Sequence, residues 1–184
     1  MNFSIVLIAR NEVKTLPKLA KSVEEFQKRG GEVVLMDTGS TDGTQDLARS
    51  FGFKITEVGE EYLHTIDKDL ACKINERFVI AGEKPIVNTG DKYFDFASAR
   101  NHSASLASND WICTVDADEA FTKLDLDEIE KIIADKNLAH LEYEFVFSHD
   151  QWDNPAIQFV QSKFYNRKKM QWVGIVHEVL QPIK

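Results

Sequence analysis

The order of elements in the first sixty residues constrains this chain more than any other feature. FSIVLIA at 3–9 is a short apolar run rich in β-branched residues, and it ends in the polar ARNE. TLPKLAKSVEEFQKRGG follows, with Leu16, Leu19, Ala20, Val23 and Phe26 at helical spacing. Thr15 is placed to cap this helix, Pro17 suits its first turn, and Gly30-Gly31 stop it. EVVLM at 32–36 reads as a second strand that runs straight into DTGSTDGT. A short helix, TQDLARSF, closed by Gly52, and a third strand, FKITEV at 53–58, complete the series. A β-α-β-α-β order predicts a parallel sheet with right-handed crossovers. In such sheets the ligand sits beyond the carboxyl ends of the strands, where ARNE and DTGSTDGT both fall.

The pattern is weaker from 59 to 93. Glu60 to Glu76 reads as a loose helix, and RFVIAGEKPIVNTGDKYF as a hairpin turning near Gly82 and Pro85. It sharpens again after Phe96. ASARNHSASLA is a helix, SND a turn, and WICTV a strand that ends in DADE. LDLDEIEKIIADK carries Ile129, Ile132 and Ile133 at helical spacing, and HLEYEFVF, QFVQSKFY and QWVG follow as strands. With 184 residues and no repeat, low-complexity tract or linker, a single domain is expected.

Composition removes several classes of function. The net charge of -8 works against binding a phosphate backbone, so no nucleic acid is expected as a partner. A phosphorylated small molecule remains compatible, provided a cation or a few arginines neutralise it locally. Cys72 and Cys113 lack the spacing of a zinc or redox motif, which points to a reducing compartment. The apolar stretch from Ile5 to Ala9 is too short for a signal-peptide core or a membrane span. The chain is therefore expected in the cytoplasm, peripheral to a membrane only through a partner.

Asp116 and Asp118 follow an apolar strand and flank one small residue. In an extended segment, residues two apart point to the same side. Two carboxylates on one side of a strand end suit Mg²⁺ or Mn²⁺, which would bridge to phosphate oxygens. An isolated Asp-x-Asp more often caps a helix or faces water, so the surroundings matter. Asp37 also stands where a strand ends, placed to accept hydrogen bonds from a base or a ribose. The glycines of DTGSTDGT permit a tight turn and close backbone approach. An ordinary βα turn capped by Thr41 or Asp42 is compatible with the same residues.

Taken together, SIVLIARNE, VVLMDTGSTDGT, FASARNHS, WICTVDADE and QWVGIVHE resemble, in order, segments of the family 2 glycosyltransferases. These segments span nearly the whole chain. The resemblance implies an α/β fold of GT-A type, a Rossmann-like three-layer sandwich with a mainly parallel central sheet. It implies one catalytic domain over 1–184, with a nucleotide-sugar-binding part at about 1–120 and an acceptor-side part at about 121–184. Carried over by position, Arg10 and Glu12 would line the nucleotide pocket and Asp37 would bind the base. Arg100 would approach the nucleotide or its diphosphate. Asp116 would contact the ribose or the metal, Asp118 would ligate the metal, and His177 would add a late metal or diphosphate contact. The implied cofactor is Mn²⁺ or Mg²⁺, and the donor a nucleotide-diphosphate sugar, with a UDP-sugar expected. The acceptor would be a glycan, a lipid or a protein.

The implied reaction inverts the anomeric centre: a carboxylate base deprotonates the acceptor as the diphosphate leaves. Asp150 and Asp153 in SHDQWDN are the candidate bases, with Glu144 behind them, and Trp152 could stack on a sugar or simply anchor a loop. Two features depart from the family pattern. Residues 61–93 are long for the connection before FASARN, and only six residues follow Glu178, so either a minimal enzyme or the catalytic piece of a larger one is expected. A metal-dependent phosphohydrolase would place its acidic pair after the first strand. A sugar-nucleotide-forming nucleotidyltransferase would carry glycines in the loop occupied here by ARNEVKTLPK. A binding module without turnover is the non-enzymatic alternative.

Overall fold

The computed structural model describes residues 1–152, 154–175 and 177–184. The chain runs β1 (Phe3–Ala9), α1 (Leu16–Ser22), α2 (Glu24–Lys28), β2 (Glu32–Asp37), α3 (Thr44–Ser50), β3 (Lys54–Glu57), β4 (Leu63–Thr65), α4 (Lys68–Phe78) and β5 (Lys92–Phe94). It continues with α5 (Phe96–Ser105), β6 (Trp111–Thr114), α6 (Leu126–Ile133), β7 (His140–His149), β8 (Pro155–Asn166), β9 (Met170–Val173) and β10 (Val179–Pro182).

The six-stranded central sheet has the order β3-β2-β1-β6-β8-β7. Pairs β1–β2, β2–β3 and β1–β6 are parallel, and β8 pairs antiparallel with both β6 and β7. The parallel half is the sheet that the β-α-β-α-β pattern predicted. Strand order reverses between β1 and β6. The chain builds outward to β3 and then returns to the other side of β1, which opens a crevice at the carboxyl ends.

Residues of each strand alternate between two cores, as a sheet covered on both faces requires. Phe3, Ile5, Leu7, Leu35, Trp111 and Cys113 pack on one face with Leu16, Leu19, Phe26, Leu126 and Ile133 from α1, α2 and α6. Val6, Val34, Ile112 and Tyr165 point the other way, onto Ala97 and Ala104 of α5 and Met170 and Trp172 of β9. The three-layer α/β reading therefore holds.

Three local expectations are corrected. The first helix is two helices, broken at Val23 (φ -107°, ψ 5°), and the Thr15 side chain does not cap it. Its hydroxyl instead turns back to Glu12, donating to the carboxylate at 2.5 Å with the carbonyl 3.1 Å away. Residues 60–76 are not one loose helix. The short strand β4 comes first, and α4 starts later, where the Asp67 carboxylate accepts from Leu70 N at 2.8 Å. Residues 77–94 are not a hairpin either, because α4 runs through Phe78 and β5 pairs antiparallel with β4 across the intervening segment.

Candidate functional site

Three polar loops meet beyond the carboxyl ends of β1, β2 and β6. The loops after β1 and β2 are knitted to each other. Asn11, in the left-handed region at φ 60°, accepts from Thr41 N at 2.8 Å, and its own N–H donates to Ser40 Oγ at 2.9 Å. Glu12 N donates to Thr44 Oγ1 at 2.8 Å. Asx and Thr side chains thus take the backbone donors that a strand-to-helix turn leaves unpaired.

Asp37 builds this loop and is not spent by it. Its Oδ1 accepts from Gly39 N at 3.1 Å, Ser40 N at 3.0 Å and Gln45 Nε2 at 3.0 Å. Its Oδ2 is buried and has no partner among the described residues. Gly39, at φ 100°, lets the chain turn over this carboxylate and pass close to the backbone of Gly59.

Across the crevice, one arginine joins two of the polar segments. Arg100 stands on α5 with only 7% of its surface exposed. Its Nη2 donates to Asp116 Oδ1 at 2.8 Å and its Nε to Glu178 Oε1 at 2.6 Å, and the guanidinium lies 5.4 Å from the Trp172 ring centre. Its Nη1 has no partner among the described residues. Asn101, the next residue, holds β9 by two bonds, Nδ2 to Trp172 O at 2.8 Å and Trp172 N to Oδ1 at 2.9 Å. Phe96 N donates to Ile175 O at 3.1 Å. FASARN is therefore the helix that ties the segment after β9 to the acidic turn after β6.

That turn is not the extended pair expected from spacing. β6 ends at Thr114, and Glu119 N donates to Asp116 O at 3.0 Å, which closes a turn. Asp116 and Asp118 consequently part company. Asp116 points inward to Arg100 and to Lys163, whose Nζ lies 2.7 Å from Oδ2. Asp118 is exposed, and no hydrogen bond to its carboxylate is found among the described residues. Burial disfavours the charge on Asp116, yet Arg100 and Lys163 prevail and hold its pKa below the usual carboxylate value. Burial has the upper hand at Glu119, whose pKa is raised even though Lys163 Nζ lies 2.6 Å from its Oε1.

The remaining expected residues are placed as follows. Arg10 reaches out to Glu60 at 3.0 Å with both side chains exposed. The Glu12 carboxylate accepts from Thr15 Oγ1 at 2.5 Å. His177 is exposed at φ 58°, next to the Glu178 that Arg100 holds. Asp153 lies outside the described residues. Asp150 is the remaining candidate base. It sits at the tip of the β7–β8 hairpin, where Oδ1 accepts from Trp152 N at 2.8 Å and Asn154 N at 2.9 Å. From Pro155 to Lys163, which touches Asp116, β8 advances eight residues at about 3.3 Å each, on the order of 25 Å. In this structure the Asp150 carboxylate therefore stands well away from Asp116. The backbone N–H of Asn154 foremost also lowers the Asp150 pKa, which weakens it as a base.

Lys163, Glu119 and the tie between Arg100 and Glu178 were missed by sequence reasoning. The signal for Lys163 was a lone cation in the apolar strand QFVQSKFY. Among the described residues, no three His, Cys, Asp or Glu side chains are arranged to hold a metal by themselves. Mg²⁺ and Mn²⁺ bound with a nucleotide need only one or two protein carboxylates, because phosphate and water supply the rest. An exposed Asp118 beside a half-open Asp116 fits that kind of site.

A parallel sheet with a switch point, polar loops gathered at its carboxyl ends and an acidic turn describe an α/β protein of the class that binds its ligand beyond those strand ends. The profile of glycosyl transferase family 2 matches residues 4–66 and 67–182, and the chain belongs to that family. Among curated proteins it is 34% identical over 82 residues to a 4,4'-diaponeurosporenoate glycosyltransferase of Staphylococcus haemolyticus, covering 44% of this chain and 22% of that one. It is 24% identical over 180 residues to an uncharacterised glycosyltransferase of Rickettsia felis, covering 95% and 51%. A TPR repeat-containing protein of Synechococcus elongatus is 31% identical over 116 residues, covering 63% and 20%. The chain thus spans about half or less of the length of these relatives. Among solved structures, S. aureus TarS is 20% identical with a TM-score of 0.49, covering 76% of this chain and 21% of that one.

Proposed function

We propose that this chain transfers a sugar from a nucleotide-diphosphate donor, with a UDP-sugar expected, to a glycan, lipid or protein acceptor. In this reading residues 1–184 form one catalytic domain, with the donor held by about 1–120 and the acceptor side formed by about 121–184. The carrying observation is the convergence of three separate segments on one residue. Arg100 bonds Asp116 and Glu178 at once, and its buried Nη1 has no partner among the described residues.

Each residue has a task consistent with its surroundings. The free Oδ2 of Asp37 accepts an N–H from the base. Arg100 Nη1 donates to a diphosphate oxygen. Asp116, positioned by two cations, faces the ribose, and Asp118 and His177 hold the Mn²⁺ or Mg²⁺. When bound, that cation offsets the charge that develops on the leaving diphosphate. Transfer proceeds with inversion, and its base is a carboxylate nearer to Asp116 than Asp150. A cytoplasmic setting accords with two cysteines that are both unpaired. No helix among the described residues is long and apolar enough to cross a membrane.

The test is a thermal-shift screen of UDP, GDP and their sugars, with and without Mn²⁺. A ligand that binds only the folded state must raise the melting temperature. A nucleotide diphosphate is expected to do so, and more strongly with Mn²⁺. No shift from any nucleotide under either condition would overturn the proposal.

A further inference from the structure

Asp116, Asp118 and Glu119 put three carboxylates into four residues of one turn, yet no metal-holding group forms there among the described residues. Lys163 already stands in this turn. Its ammonium lies 2.7 Å from Asp116 Oδ2 and 2.6 Å from Glu119 Oε1, where a hard cation shared by two carboxylates would sit. It enters from β8, beside the Cys113–Phe164 pairing of β6 with β8, with its side chain largely buried and its charge 5.7 Å from the Phe145 ring centre. Glu119 cannot swing away freely, because its other oxygen accepts from Asp116 N at 2.9 Å. The turn is thus closed around a cation that the protein itself supplies.

We propose that Lys163 is a resident cation that keeps this turn from holding a divalent metal until a nucleotide diphosphate is present. The inference rests on the donor reading given above. With Lys163 seated, Asp118 is, among the described residues, the carboxylate of the turn without a cation beside it, too little to strip water from Mn²⁺ or Mg²⁺. A diphosphate brings the missing oxygens, so metal and nucleotide bind as a unit. Binding of the bare ion, which would add charge repulsion against Lys163 and Arg100, is suppressed. Lys163 is a positioning residue in this scheme and need not touch the donor.

The experiment is a Mn²⁺ titration followed by electron paramagnetic resonance, which counts free ion without any turnover. Wild type, Lys163→Met and Lys163→Arg are compared without nucleotide, and wild type again with UDP or GDP. Lys163→Met is expected to bind bare Mn²⁺ at least about tenfold more tightly than wild type, since a unit charge a few ångströms away has gone. Lys163→Arg should stay at the wild-type value, and wild type should gain at least about tenfold when a nucleotide it binds is added. A folded Lys163→Met with unchanged Mn²⁺ affinity would overturn the inference and leave a purely structural lysine. So would a wild type that binds Mn²⁺ equally well with and without nucleotide, an arm that decides the matter if Lys163→Met does not fold. Failure to bind any nucleotide strikes the proposed function, whereas the nucleotide-free comparison of wild type with Lys163→Met still reads Lys163 separately.

Discussion

Strand β2 carries a carboxylate at each end, and the two are treated in opposite ways. Glu32, at the amino end, is saturated. Its oxygens accept from Ser4 Oγ, Lys54 Nζ, Ser108 N at 2.8 Å and Ser108 Oγ at 2.8 Å. Asp37, at the carboxyl end, has three bonds on Oδ1 and, among the described residues, none on a buried Oδ2. A buried acceptor without a donor costs roughly 1–3 kcal/mol. The fold removes that cost at one end of the strand and tolerates it at the other. The tolerated end is the one at the carboxyl ends of the strands, where the proposed nucleotide would supply the donor. The proposed function accordingly assigns Glu32 to stability and Asp37 to binding.

The largest effect that would sharpen this contrast is expected at the same end of the sheet. Asp118 has no protein partner among the described residues, so Asp118→Ala should leave the melting temperature nearly unchanged. It should weaken Mn²⁺-dependent nucleotide binding by about a hundredfold, the upper range for groups that tune a metal site. Calorimetry in Mn²⁺ and in EDTA reads both. Equal wild-type affinity in the two conditions would break the assignment. At Asp37 the informative variant is Asp37→Asn. Ala would remove the three bonds that shape the loop, so loss of binding would prove nothing. Asn retains an acceptor for the loop and puts an NH₂ where Oδ2 stood, opposite the donor of the base. Nucleotide affinity should fall by roughly 1.5–3 kcal/mol, about ten- to a hundredfold, with little loss of stability. An Asp37→Asn variant that melts early and binds normally would place Asp37 with Glu32.

Glu32→Gln is the converse, with a smaller effect of a different kind. Burial raises the Glu32 pKa, but bonds from Lys54, Ser4 and Ser108 prevail and bring it down to about 2. A depressed folded-state pKa means a contribution that is complete above the ordinary value of 4.5 and lost as pH falls toward 2. Allowing for solvent at the exposed Lys54, it is about 2 kcal/mol, or about 4–8 °C in Tm for a chain of this size. Wild type should lose that increment between about pH 4.5 and 2, while Glu32→Gln should melt lower at pH 7 and lack this slope. Nucleotide affinity should not change, and a fall would mean that the two ends of β2 are coupled.

How much of this was legible in the sequence follows from the range of the interactions. β1, β2, β3 and β6 were readable because each is a local apolar run bounded by turn residues. The pairing of β4 with β5 was not, because each has three residues and the partner lies on the far side of α4. Asp37, Arg100 and Asp116 were found through segments that resemble a family. What they touch was hidden, since Glu178 is 78 residues from Arg100 and Lys163 is 47 from Asp116. The separation of Asp116 from Asp118 was also missed. Period-two reasoning holds within a strand, and this strand stops at Thr114.

The smallest effect concerns Arg10, which the contrast does not yet classify. It leaves the carboxyl end of β1 and pairs with Glu60 at 3.0 Å, both side chains being roughly half exposed. A solvent-exposed pair of this kind is worth about 0–1 kcal/mol, and less at high salt. Arg10→Ala should therefore change stability by no more than about 0.5 kcal/mol. A cation held so loosely beyond the carboxyl end of β1 can leave Glu60 for the proposed diphosphate at little cost. On that argument Arg10→Ala should weaken nucleotide binding by about three- to tenfold at low ionic strength. Lys should restore part of the loss, because the contact is one of charge rather than of a bidentate fork. The deficit should shrink as salt is raised, unlike that of Asp37→Asn, whose contact is buried and screened little. A loss of more than about 1 kcal/mol in stability, with nucleotide affinity intact, would assign Arg10 to the frame with Glu32.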